Sequence, residues 1–396
     1  MTSRRVLIVP PYLPAYRVKF FERLTARMED RGVAVTVAHG TPTGSLAQRR
    51  DAGSLSGALA LPQRAFHVGG RTLLWRNLGA MARRYDAVVI EQALRNLEAY
   101  PLLARARLHG GPSVCLWGHG GTYTHRQRAV ERAAKDAFTR RADWFFAYTE
   151  GGARYAVRAG VPADRVTVVR NSGDTTALQA ALAQITPQRL QDFRLRHGLT
   201  EGRSAFFIGG LDAPKRIPFL LAAAELTALR LPGFRLVVAG DGAYRRLVEE
   251  EAARPGTPVV YLGAIQDVGR KALLGAACDV LLMPGAVGLV AVDALALSTP
   301  VVTTPDAAHG PEFEYLEDGR NACVVPGDES AFAEATAALL NERARLEALR
   351  RACREDAVHY SAEAMSARFE EGLLTVLGLG GGPTRSSARP DHALNS

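Results

Sequence analysis

Short apolar runs alternate with longer stretches whose apolar residues recur at helical spacing, and this alternation continues from Val6 to about Asn341. In the first half, Val6–Val9, Val33–Ala38, Ala87–Ile90, Ser113–Leu116, Trp144–Ala147 and Val166–Val169 predict strands. Between them, Val18–Arg31, Thr72–Arg84, Leu97–Leu108, Arg126–Arg141 and Glu150–Ala159 predict helices. Strand-helix alternation is the signature of a parallel α/β sheet. Residues 40–62, rich in Gly, Ser, Thr and Ala, predict a long surface loop, and loops of that length inside a domain are usually functional or mobile. The polar stretch 172–202 predicts an interdomain connection with a helix near Pro187–His197. A second alternation begins at Ser204, followed by a charged helix over Glu342–Glu355 and a capped helix after Tyr360. The expected division is therefore 1–171, a connection 172–202, 203–355, a final helix 356–377, and a Gly-, Ser- and Pro-rich tail 378–396 predicted to be disordered.

Length fits this division, since 396 residues exceed a typical single core. A hydrophobic content of 47% is ordinary for a globular chain. No apolar run approaches the roughly 18 residues of a membrane span. The N-terminus passes from Arg4-Arg5 straight into a strand without a signal-peptide pattern, so a cytoplasmic location is expected. Cys115, Cys278, Cys323 and Cys353 lie far apart without metal-ligand spacing and predict buried, reduced thiols.

Charge changes the picture more. The net +9 conceals an asymmetry: residues 1–170 hold 27 Lys+Arg against 12 Asp+Glu, and the rest hold 22 against 28. The whole excess belongs to the first half, which suits an anionic partner such as a membrane surface or an acidic acceptor. A solvated arginine-rich surface is the alternative. Nucleic acid fits poorly, because no aromatic-interleaved basic stretch or reader motif is present.

Candidate chemistry concentrates after Val280–Met283, where the strand runs into Pro284-Gly-Ala-Val-Gly-Leu and then a helix-like run containing Asp293. A glycine-bearing turn at a helix start aims N–H groups at whatever lies above it, commonly phosphate. An ordinary strand-turn-helix would read the same way. Upstream stand Phe206-Phe-Ile-Gly-Gly-Leu-Asp-Ala-Pro-Lys-Arg, Val237-Val-Ala-Gly-Asp-Gly and Tyr261-Leu-Gly; downstream stand Gly310-Pro-Glu and Ala322-Cys-Val-Val-Pro-Gly-Asp. This order of strand-end motifs resembles the C-terminal half of retaining GT-B glycosyltransferases of the family 4 type, glycosyl transferases group 1. Trp117-Gly-His-Gly, Thr149-Glu-Gly and Val168-Val-Arg-Asn-Ser-Gly-Asp extend the resemblance more loosely over the first half.

The resemblance implies an α/β fold of two Rossmann-like domains facing a cleft, with the last helix crossing back to the first domain. It implies transfer of a sugar, with retention, from a nucleotide-diphosphate donor on the second domain to an acceptor hydroxyl on the first. No metal or other cofactor is implied, and the leaving phosphate itself takes the acceptor's proton. Carried over, Lys215 and Arg216 would balance the diphosphate, and His119 would face the donor sugar. Gly209, Gly210, Gly285, Ala286, Val287, Gly288, Leu289 and Glu312 would line the donor, Asp293 the ribose, and the segment up to Ile265 the base.

Two positions depart from the family pattern. Gly210 stands where an arginine is usual, so Arg216 or Arg17 must replace that cation. Gly285 stands where the first of two glutamates is usual, and the second survives as Asp293. The stiff loop Pro10–Arg17 is expected to project Tyr12, Tyr16 and Arg17 toward an acceptor, unless Tyr16 merely packs the following helix. Asn171, Asp174 and His309 read as turn-shaping residues. A polysaccharide or lipid intermediate and a soluble natural product are all open as acceptors, with peripheral contact to an anionic membrane one expectation. The rival functions are a GT-B nucleotide-sugar epimerase or hydrolase and a non-catalytic nucleotide-sugar-binding protein.

Overall fold

The computed structural model describes residues 4–44, 47, 51–109, 111–121 and 128–380. Elements are numbered in chain order. Seven strands form the first sheet: β1 (Arg4–Val9), β2 (Val33–His39), β3 (Leu59–Ala60), β6 (Ala87–Glu91), β7 (Ser113–Gly118), β8 (Trp144–Ala147) and β9 (Val166–Val168), in the order β3-β2-β1-β6-β7-β8-β9. Every neighbouring pair is parallel. The second sheet joins β10 (Ser204–Ile208), β11 (Arg235–Ala239), β12 (Val259–Tyr261), β13 (Val280–Met283), β14 (Val301–Thr303) and β15 (Ala322–Val324), in the parallel order β12-β11-β10-β13-β14-β15. Runs such as Val6-Leu-Ile-Val and Val280-Leu-Leu-Met are fully buried, because helices cover both faces of each sheet. Strand order reverses between β1 and β6 and between β10 and β13, which places crevices at the carboxyl ends of those strands.

The helices of the first half are α1 (Ala15–Asp30), α2 (Gly79–Ala82), α3 (Ala99–His109), α4 (Ala129–Thr139) and α5 (Glu150–Arg158). Thr149 caps α5 by accepting from Gly152 N at 3.3 Å. The expected helix over Thr72–Arg84 is a correction. Residues Arg71–Arg76 are instead strand β5, paired antiparallel with β4 (Gln63–Val68). Gly69 and Gly70 both take positive φ and close the hairpin, a turn that nothing in the helical spacing of 72–84 reveals. The loop expected over 40–62 includes positions outside the described residues, and its end pairs with β2 as β3.

Residues 172–202, expected as a connection, fold as α6 (Thr175–Ala183) and α7 (Pro187–His197). Leu178 of α6 belongs to the core of the second sheet. Thr186 caps α7, Pro187 opens it, and Gly198 closes it in the left-handed region. The second sheet is further covered by α8 (Ile217–Arg230), α9 (Arg245–Ala253), α10 (Val268–Ala277), α11 (Val290–Ala296), α12 (Glu329–Asn341) and α13 (Arg343–Ala357).

The last helix, α14 (Ala362–Val376), returns to the first sheet as expected, and packs along α1. Met365, Phe369 and Leu373 complete the core against Phe20, Trp117 and Phe146, with the Phe146 and Phe369 rings stacked 4.1 Å apart. A buried ring of this kind contributes about 1.5–3 kcal/mol. Gly372 permits the approach, since a Cβ there would lie 2.5 Å from the Phe146 ring. Arg27 of α1 and Arg31 at its C-terminal cap both pair with the buried Glu370 carboxylate. The tail expected to be disordered lies outside the described residues from 381 onward. All four cysteines are buried and free, and no described helix is long and apolar enough to cross a membrane.

Candidate active site

The site is built where the strand ends of the two sheets face each other. On the second sheet, the turn after β10 and the turn after β13 are tied together. Ala286 N donates to Pro214 O at 2.8 Å, and Lys215 Nζ donates to Ala286 O. Burial pushes the Lys215 pKa down to about 8, with Asp212 opposing that shift. A lysine so desolvated gains from any anion that takes up its charge. Gly209 lies against it, with room for a Cβ at 3.8 Å from Lys215 Cε.

Gly285, the position of the missing acid, has a structural reason. A Cβ there would stand 2.4 Å from both Pro214 O and the Lys215 carbonyl carbon. Those are backbone atoms, so no side chain fits while the two turns remain joined. Gly210, by contrast, is exposed, and a Cβ would meet only the mobile carboxylate of Asp212.

Arg216, the other expected cation, is engaged within the second sheet. It takes a left-handed φ of 53° and turns its guanidinium to Asp306 at 3.0 Å and Thr304 Oγ1 at 3.3 Å. That fork holds the Asp306 carboxyl down to about 2. Arg17 is also spoken for. It is buried, not projected into the cleft, because the aromatic cluster of Tyr16, Phe20, Trp117 and Tyr148 surrounds its guanidinium. From there it donates to Asn171 Oδ1, and Asn171 Nδ2 donates onward to Glu312. Tyr12 is likewise buried, its hydroxyl donating to Asp51 at 3.2 Å, whereas Tyr16 is exposed. Tyr16 and Arg17 lie in the first turn of α1, and two of the three candidates turn inward.

Glu312 is the acid that faces the turn after β13. Its free side, Oε2, lies where a Cβ on Gly310 would be 2.9 Å away and one on Gly288 3.9 Å away. Burial raises its pKa, against the lowering bond from Asn171 and the Arg17 charge. Opposite, His119 follows β7 directly, its ring packed on Tyr148 at 4.4 Å. Desolvation holds its pKa well below the ordinary value, with Glu91 opposing and Lys135 and Arg17 reinforcing. The imidazole is therefore neutral at neutral pH. Gly120, at φ 72°, lets this turn lie against Gly152 of α5, where a Cβ would come within 2.7 Å of its carbonyl oxygen.

Asp293 carries a partner that sequence reasoning missed: Lys271 of α10, 2.9 Å away. Ile265 lies apart from these groups, in a groove of about 470 Å³ between α7 and α10 that is also lined by Phe193, His197 and Leu273. Also missed were Glu314 and Tyr315, which join the two halves. Glu314 accepts from Gly151 N at 2.7 Å at the start of α5, and the Tyr315 hydroxyl donates to Tyr148 O at 3.1 Å. Only the acid-rich spacing after Gly310 hinted at them. Among the described residues, no group of three or more His, Cys, Asp or Glu side chains is placed to hold a metal ion.

His309 positions the turn after β13. Its Nε2 donates to Thr304 O at 2.7 Å, which leaves Nδ1 to accept from Val287 N at 3.1 Å. Only the neutral ring does both, and burial lowers its pKa from the ordinary value. Because the folded value lies below the unfolded one, the contribution is complete above about pH 6.5 and is lost as pH falls through the folded value. Thermal unfolding followed against pH should show wild type losing stability across that acid window. The His309→Asn variant should lose less there; identical slopes would refute the role.

Two Rossmann-like units with their strand ends opposed, closed by a returning helix, define the GT-B class. Residues 202–342 match the family model of glycosyl transferases group 1, and residues 18–172 match that of the glycosyl transferase 4-like domain. The chain belongs to this family of transferases. EpsD of Bacillus subtilis (strain 168) is 26% identical over 176 residues, 43% of this chain, and the match spans only 45% of that relative. Among solved structures, HepE of Anabaena aligns with a TM-score of 0.68 at 16% identity, over 94% of this chain and all of that one. A glycosyltransferase from Rickettsia africae aligns at 0.67 and 13% identity, over 95% and 99%. At these identities the structural likeness speaks for the fold.

Proposed function

We propose that this transferase moves a sugar from a nucleoside-diphosphate donor to an acceptor hydroxyl, with retention and without a metal ion. The observation that carries the reading is Lys215, partly buried, its pKa pushed down to about 8, its ammonium set on the turn after β13 beside the crevice between β10 and β13. A departing diphosphate is what such a cation stabilises best, since the charge develops where the lysine already points. The amides of Ala286 and Val287 are engaged by Pro214 and His309, so the grip narrows to Lys215 and the turn from Gly288 onward. Lys271 orients Asp293 for the ribose. Glu312, beside Gly288, takes the part of the acid missing at Gly285, and His119 offers a neutral hydrogen-bonding ring from the acceptor side. The leaving phosphate receives the acceptor's proton, which requires no further base.

HepE was solved with UDP bound, and UDP is the diphosphate we expect here. The acceptor class we favour is a lipid-linked or polysaccharide intermediate, in keeping with the basic first half. A thermal-shift series with UDP, GDP, ADP and dTDP tests the donor. At a hundredfold excess over Kd, the matching diphosphate should raise stability by about 2.7 kcal/mol, with or without chelator. No response to any of the four, or one that depends on magnesium, would sink the reading. Release of free or epimerised sugar without acceptor would favour the epimerase or hydrolase instead.

A further inference from the structure

The hairpin β4–β5 stands outside the first sheet, and its two faces differ. Residues directly opposed across the hairpin share a face. One face carries Leu74 and Arg76, both buried: Arg76 donates to Pro10 O at 3.2 Å and pairs with Glu98. The other face carries Arg64 opposite Trp75, Phe66 opposite Leu73, and Val68 opposite Arg71. There Phe66 is 45% exposed and Val68 60%. Arg71 leans toward Glu131 of α4 at 3.5 Å, which brings the 82%-exposed Val130 and the exposed Arg128 and Arg132 alongside.

Charge decides what covers this apolar face. Between Asp51 and Asp86 the chain contains no acidic residue, yet it contains Arg64, Arg71, Arg76, Arg83 and Arg84, of which only Arg76 is buried. Aromatic and aliphatic side chains rimmed by arginine match a bilayer interface, where rings enter the headgroup layer and guanidinium groups meet lipid phosphate.

We propose that the outward face of this hairpin docks the protein onto an anionic lipid bilayer. The rooting of the hairpin sets the orientation. Leu74 N donates to Arg95 O at 2.8 Å just past β6, and Gln63 Nε2 donates to Thr41 O at 3.0 Å just past β2. The hairpin thus rises from the rim that bears the strand ends and His119, so docking turns the acceptor side of the cleft toward the membrane. Only this consequence, access to a lipid-borne acceptor, rests on the transfer reading.

The test is co-sedimentation of the full chain with vesicles of phosphatidylcholine plus phosphatidylglycerol, against phosphatidylcholine alone. Wild type should pellet with the anionic vesicles only, release in high salt, and show a blue shift of Trp75 emission. Phe66→Ser with Val68→Ser should weaken partitioning roughly tenfold. Arg64→Glu alone should weaken it too, and each variant should keep the wild-type thermal response to UDP. Absence of binding, or binding untouched by these changes, would overturn the docking while leaving the transfer reading intact. A wild-type dimer made monomeric by the hairpin variants would overturn it in favour of a second copy on this face. Vesicle binding without any UDP response would support docking and count against the transfer reading alone.

Discussion

Lys215→Ala is expected to lower kcat/KM by about a hundred- to a thousandfold, the usual effect of removing one preorganised group that meets transition-state charge, equivalent to about 2.7–4 kcal/mol. The thermal response to UDP should vanish, while the melting temperature without ligand stays near wild type. Lys215 adds one bond to a turn that the Ala286–Pro214 backbone bond already holds. Arginine should not restore activity. The ammonium is placed as a point charge on Ala286 O, and a longer planar fork would not set its charge at the same place. Since burial pushes the free lysine's pKa down to about 8, affinity for the diphosphate should fall as pH rises through that value, because the neutral amine no longer carries a charge to balance phosphate. Calorimetric titration across this range checks the sign. Undiminished UDP binding in the alanine variant would remove the basis of the proposed chemistry.

Gly285→Glu, which restores the acid usual in the family, should harm the protein. Placing any Cβ 2.4 Å from Pro214 O and the Lys215 carbonyl carbon forces two backbone turns apart. Overpacking of this kind costs about 1–3 kcal/mol, so a drop of several degrees in melting temperature should follow. Donor binding should fall with it, as Lys215 moves from Ala286. Gly285→Ala should show most of the same loss, which separates crowding from the added charge. A glutamate variant with improved turnover would mean instead that the turns part readily and that the acid was merely missing.

These two outcomes also mark how much of the site could be read early. Lys215 was legible because a strand-end cation within a recurring motif is a local feature. The vacancy at Gly285 was legible as a departure, but its cause lies in residues seventy positions upstream in sequence, brought against it by the pairing of β10 with β13. Arg216 looked equivalent to its neighbour. What separates them is Asp306, 90 residues away, which captures the guanidinium once β14 is in place. Arg17 looked like a cleft residue, until Asn171 at a separation of 154 and the ring of aromatics drew it inward. Glu312 was expected among the donor-lining residues, and its placement beside Gly288 depends on the fold of 304–312 over the turn after β13.

The sequence by itself determined most of the strands of the two parallel sheets, most of the helices, the two α/β alternations and the glycine-bearing turns at their ends. Burial on both faces of a sheet imposes a composition that each strand carries alone, and caps such as Thr149 and Thr186 act within a single turn. Only the tertiary structure decided that residues 71–76 pair as a strand instead of coiling, which cations stay available, and which acid faces the donor. Those outcomes follow from contacts between distant segments, where a buried charge settles on whichever partner the packing delivers, and no local pattern encodes that choice.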